Sequence, residues 1–302
     1  MASMQLMACK YYFLTLLFVF LSLTSNEQET HLGNQQKAAI TYLDSFANMP
    51  QSAYWPNVNP ALFIKNIRKN IIYPNIVYGG TNTNFCGYAA LSYTCIKTYP
   101  LRYTKFLIEL YNNGEASFRN VKINPSYNVK AAAGLLKFKG VLDINQADQL
   151  WYMSLADNFK GYLNIFNRDY RPGGEDKLWP ATNFAKFNRM LRKICNYETH
   201  SVGSDLIRPH SNDIISFLND KLANSHQVFL FLNNAILHNS KHTKVKYRIP
   251  THYVVLFGII AHDDMVTFDY WDYGFRTKRE MPMSVFKDIV FGVTWCKKQT
   301  EE

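Results

Sequence analysis

No two cysteines in this chain, and no cysteine with a histidine, stand at zinc-ligand spacing, which argues against a structural metal site. Internal repeats and low-complexity linkers are also missing. No glycine- or proline-rich stretch divides two halves of different composition, so one domain is expected from about residue 35 to the end. The apolar run Tyr11 to Leu23 has about 13 residues, within the ~7–15 of a secretory leader core and short of the ~20 that cross a bilayer. It follows Lys10 and gives way to Thr24-Ser25-Asn26-Glu27, so we expect a signal peptide over residues 1–25, export outside the cell or to the periplasm, and one domain over 26–302. Leu23-Thr24-Ser25 departs from the usual small-residue cleavage pair, which leaves an uncleaved anchor as the alternative. Acidic residues are outnumbered, 23 against 33 lysines and arginines, for a net charge of +10. That balance favours acidic partners such as nucleic acid, anionic lipid or a carboxylate-rich wall polymer without choosing among them.

Cysteine is sparse, with five in 302 residues, and Cys9 would leave with the leader. Cys86, Cys95, Cys195 and Cys296 remain, an even number that admits two disulfides in an oxidising compartment. Cys86 and Cys95 lie nine apart on one expected helix, about 13 Å along its axis and too far to bridge each other. Buried reduced thiols with one reactive thiol among them is the simpler account.

Core-forming material is plentiful, at 47% hydrophobic and 15% aromatic. Helices are expected over 35–48, 87–99, 101–112 and 146–158, several ended by a following proline or glycine. A further helix over 211–223 precedes β-rich runs at 226–233, 253–260 and 265–271, with 261–264 turning between the last two. A short helix over 283–289 and a strand over 290–296 close the chain. Helices first and an antiparallel sheet second make an α+β fold. Apart from the helix over 146–158, residues 119–198 are the least legible, with turns marked at Arg171-Pro172-Gly173-Gly174 and Trp179-Pro180.

Cys86 stands where the loop Asn84-Phe85-Cys86-Gly87-Tyr88-Ala89-Ala90 runs into a helix that is apolar nearly all round. A thiolate in a helix's first turn is stabilised by unpaired N–H groups and the dipole's positive end. Gly87 would leave room beside the sulfur for a substrate backbone. His252 opens the strand His252-Tyr253-Val254-Val255-Leu256-Phe257-Gly258, and a neutral imidazole at a strand mouth can take a thiol proton. The strand 265–272 offers two carboxylates of opposite parity, Asp269 and Asp272. A plain three-residue turn at 261–263 sets Asp272 opposite His252, and a bulge exchanges the two.

In their order along the chain, Cys86, His252 and Asp269 resemble the papain-like cysteine peptidase superfamily. Asn84-Phe85-Cys86-Gly87-Tyr88-Ala89-Ala90 looks like the Cys-Gly-Pro-Ala-Ala element of its bacterial branches, the bacteriocin-leader peptidases and papain-like effectors, with Tyr88 for proline. His252-Tyr253-Val254-Val255 resembles their His-aromatic-Val-Val strand, and Asp269-Tyr270-Trp271 the element that orients the histidine. The likeness covers about fifty residues in two blocks. It implies a helical half carrying the nucleophile, a β half carrying histidine and acid, a cleft between them, and no cofactor. It favours Asp269 as the acid over Asp272, and Gly87 and Trp271 as substrate-binding residues. The oxyanion glutamine expected about six residues before the cysteine falls at Gly80, so Asn82 or Asn84 would have to donate instead. Asn84 could equally cap the helix.

The function this implies is a thiol hydrolase that cleaves amide bonds in a peptide, protein or peptidoglycan, acting as an exported peptidase or toxin opposed by an immunity or inhibitor protein. Acyl transfer of the transglutaminase or deamidase kind uses the same residues, and an inactive papain-like binding module is the non-enzymatic alternative. His242, Lys244, Lys246 and Arg248 would form one basic face of a strand, lining a cleft or protecting a sheet edge. No nucleic-acid-binding motif accompanies it, so no nucleic acid partner is expected, nor a membrane span once the leader is gone.

Overall fold

The computed structural model describes residues 32–137, 139–140, 142–159, 169–211, 213–234, 237 and 249–299. The leader and nearly all of the basic run lie outside these residues. The fold is mixed α+β, with helices packed on an antiparallel sheet. Helices α1 (Asn34–Asp44), α2 (Pro60–Ile72), α3 (Cys86–Thr98) and α4 (Pro100–Asn113) come first. A small hairpin of β1 (Ala116–Phe118) and β2 (Val121–Ile123) follows, then α5 (Tyr127–Ala132), α6 (Gln146–Asn158) and α7 (Phe184–Cys195). The remainder is β3 (Tyr197–Gly203), α8 (Ile214–Asn224), β4 (Gln227–Leu232), β5 (His252–His262), β6 (Met265–Asp272), β7 (Phe275–Pro282), α9 (Met283–Ile289) and β8 (Val290–Lys298).

Local chemistry accounts for the helix starts. Asn59 accepts the Leu62 N–H at the head of α2, where Pro60 occupies the first position and needs no donor. Asn183 does the same for the Lys186 N–H at the head of α7. Between α1 and α2, Ser52, Trp55 and Val58 are buried in the helical half. Trp55 is fully buried there and donates its indole N–H to the Leu110 carbonyl at 2.7 Å.

The six strands run in the order β3-β8-β4-β5-β6-β7, every neighbouring pair antiparallel. Alternation along the strands builds two cores. Phe229, Phe231, Tyr253, Val255, Trp271 and Cys296 face α3 and α7. Phe187 of α7 stacks on Tyr253 at 4.2 Å, and Tyr93 of α3 stacks on Trp271 at 5.2 Å. Residues of opposite parity, among them Val228, Leu230, Val254, Leu256, Val266 and Phe268, pack under α8 and α9. β7, at one end of the sheet, carries Arg276, Lys278, Arg279 and Glu280, charges that discourage pairing with a further strand. Among the described residues, no helix is long and apolar enough to cross a membrane.

Candidate active site

The loop before α3 is built backbone against backbone. Thr83 donates its hydroxyl to the carbonyls of Gly79 and Gly80, at 2.6 and 3.0 Å, and accepts the Phe85 N–H. Gly80 has φ +83°, and a Cβ there would stand 2.7 Å from the Lys139 carbonyl oxygen. No side chain fits where the resemblance expects glutamine. Gly80→Gln is therefore expected to destabilise the fold by ~2–5 kcal/mol, read from urea midpoints, rather than restore a donor.

The two asparagines considered as oxyanion donors part company. Asn84 is committed elsewhere: its side-chain amide donates to the carbonyls of Asp176 and Lys177, at 2.9 and 2.8 Å, and its N–H to Glu175 O. It therefore neither caps α3 nor offers its amide to a substrate, because both amide hydrogens hold the 175–177 loop. Asn82 is exposed and tied by its backbone N–H to Lys139 O at 3.1 Å, so it stays the candidate.

Cys86 is the first residue of α3 and is 9% exposed. Phe85 before it makes no side-chain cap, and the first-turn N–H groups of a helix have no intrahelical acceptors. The thiol donates to the Thr251 carbonyl at 3.7 Å and lies near enough to His252 to help raise that imidazole's pKa. Thr251 is held in turn by Asn234, whose side-chain oxygen accepts the Thr251 hydroxyl at 2.8 Å.

His252 opens β5, paired with Leu232 of β4, and is 1% exposed. Its Nε2 is hydrogen-bonded to Asp272, itself buried, so Nδ1 is the nitrogen on the other side of the ring. Burial opposes charge on this imidazole, but the Asp272 carboxylate, its hydrogen bond and the adjacent Cys86 outweigh it. The pKa is pushed up to about 10. That shift favours the charged ring at neutral pH, with Nε2 donating to the Asp272 carboxylate.

The preference for Asp269 is corrected here. Asp269 forms a two-pronged ion pair with Arg276, whose Nε lies 2.9 and 3.1 Å from the two carboxylate oxygens, and Arg276 holds its pKa low. The register explains why. His262 pairs with Met265, so the turn is the two residues Asp263-Asp264 and not the expected three. An extra residue at Phe257 then shifts the ladder between Leu256 and Gly258. Each change moves the parity by one and together they cancel. Trp271 pairs with Val255, so Asp272 falls across from Val254, on the side that His252 shares.

The two expected substrate contacts are also corrected. The space beside Gly87 is filled, since a Cβ there would stand 3.0 Å from Thr182. Trp271 is 1% exposed, stacked on Tyr93 and donating its indole N–H to Asn75 O at 2.8 Å, which makes it a strut between the halves.

Tyr273 escaped the sequence reading. It occupies the turn between β6 and β7 at φ +43°, followed by Gly274 at +86°, the paired left-handed backbone of a tight hairpin. That geometry lays its ring flat on His252, with centroids 4.3 Å apart. The only local signal was Tyr-Gly after a strand, which announces a turn but not where its side chain lies.

Among the described residues no cluster of histidine, cysteine and carboxylate groups could hold a metal ion. Comparison with protein-family models, with curated proteins and with solved structures returned no match.

Proposed function

We propose that this protein is a thiol-dependent acyl hydrolase of papain-like type that cleaves amide bonds. The observation that carries the reading is one buried imidazole bonded to a buried carboxylate and set beside a helix-terminal sulfur. Cys86 attacks the carbonyl carbon as a thiolate, and the amide oxygen takes up the negative charge. The N–H groups of α3's first turn and the Asn82 amide are the donors for that oxyanion. His252, protonated on Nδ1, gives its proton to the departing amine, leaving an acyl-thioester on Cys86. The same nitrogen then takes a proton from water, whose oxygen attacks the thioester and frees the acid and the thiolate. Asp272 holds Nε2 and keeps the ring oriented throughout. A helical half carrying the nucleophile and a sheet carrying histidine and acid agree with what the papain-like resemblance implies.

The reading extends to an exported enzyme acting on a peptide, protein or peptidoglycan, as a peptidase or toxin. Transfer of the acyl group to an amine uses the same residues and differs only in the acceptor. The departure at Gly80 is what favours an inactive binding module instead.

A small activated ester separates the three. With p-nitrophenyl acetate, intact-mass spectrometry should find an acetyl group on Cys86 that turns over in water. Added glycine ethyl ester should leave its lifetime unchanged for a hydrolase and shorten it for an acyl transferase. Acetylation no faster than in the urea-denatured chain would sink the enzyme reading.

A further inference from the structure

At the far end of the nucleophile helix two more thiols meet. Cys95, near the end of α3, and Cys195, the last residue of α7, are both fully buried, with their sulfurs 2.8 Å apart. Non-bonded heavy atoms settle at about 3.5 Å or more, so two reduced thiols are crowded at this separation, which approaches the ~2.05 Å of a bond. Cys296 of β8 neighbours Cys195 but already has a partner, its thiol donating to Gln227 O at 3.6 Å.

We propose that Cys95 and Cys195 are the site of a disulfide that ties the nucleophile helix to α7. The bond joins residues 100 apart in sequence and encloses α4, the β1–β2 hairpin, α5 and α6. It closes one end of the α3–α7 seam, while Thr182 packed on Gly87 closes the other beside the reactive sulfur. About 13 Å of helix separates Cys86 from Cys95, which keeps the nucleophile out of exchange with the bond. Burial raises the Cys195 thiol well above its ordinary value, and the neighbouring Cys95 raises it further, so attack by its thiolate is suppressed once the fold has closed. The bond forms during folding. A low-molecular-weight disulfide accepts the two electrons in two exchange steps: one thiolate forms a mixed disulfide, the other displaces it, and two reduced thiols and the protein bond result.

This inference does not depend on the hydrolase reading. The test is to refold the full chain with reduced and oxidised glutathione, alkylate it in denaturant without reduction, and map its peptides. Expected is a peptide pair joined through Cys95 and Cys195, lighter by two hydrogens, with Cys86 and Cys296 alkylated. Alkylation at both Cys95 and Cys195, or a different pairing, overturns the assignment. Reductant should also lower the melting midpoint by roughly 5–15 °C and leave that of the Cys95→Ala/Cys195→Ala double variant unchanged. An equal shift in both proteins would likewise count against the bond.

Discussion

Asp272→Asn is expected to slow acylation of Cys86 by ~10²–10⁴-fold, whereas Asp269→Asn should stay within about threefold of the parent. The asymmetry follows from what each carboxylate touches. Asp272 supplies the interactions that hold the buried His252 imidazole up at about 10. An amide there keeps the shape but drops the charge, so burial pulls the pKa down, below its ordinary ~6.5. The sign can be checked on the pH axis. In the parent, the imidazolium persists across the neutral range and is lost only as pH rises through about 10. In Asp272→Asn the alkaline limb should move to lower pH by several units. Asp269 is engaged with Arg276 at the sheet surface, and its loss leaves His252 untouched. Stopped-flow acylation of the three proteins from pH 5 to 11 makes the comparison. An unmoved limb in Asp272→Asn, or a larger effect from Asp269→Asn, would refute the assignment of the acid.

A haloacetamide at neutral pH should modify Cys86 alone in the folded protein, and Cys86→Ala should abolish both that labelling and acyl turnover, by ~10⁴–10⁶-fold. Cys95, Cys195 and Cys296 are each fully buried, whereas Cys86, at the mouth of a helix, keeps 9% exposure. Cys86 lies beside the His252 imidazole, whereas Cys95 and Cys195 face each other and Cys296 faces the Gln227 carbonyl. Peptide mapping after brief exposure gives the answer. Labelling of Cys86 no faster than in the urea-denatured chain would remove the basis for a nucleophile at this position.

The sequence made some elements plain because their signals are local. A short-residue loop before an all-apolar helix announced α3, and a hydrophobic run opened by His252 announced β5. The acid was harder, since side choice in a hairpin depends on every residue between the turn and the site. One residue fewer in the turn and one extra at Phe257 reversed the choice and reversed it back. Trp271 misled for a related reason: an aromatic beside the acid looks like a cleft wall, and only the packing of Tyr93 on it reveals a strut. α7 did carry readable marks, Asn183 at its head and Asn196 in a left-handed backbone at its end, yet they sit in a stretch dominated by turns. Contact between Cys95 and Cys195 could not be read at all, because it joins positions a third of the chain apart.

The β6–β7 tip sets two jaws around one ring. Asp272 grips the imidazole edge and Tyr273, the very next residue, presses on its face. The tip leans on the helical half, where Gly274 approaches Ile76 and Trp271 is bonded to Asn75. Carboxylate and aromatic cover therefore move as one, and any shift of this tip on the Asn75-Ile76 ledge reaches His252 through its edge and its face together.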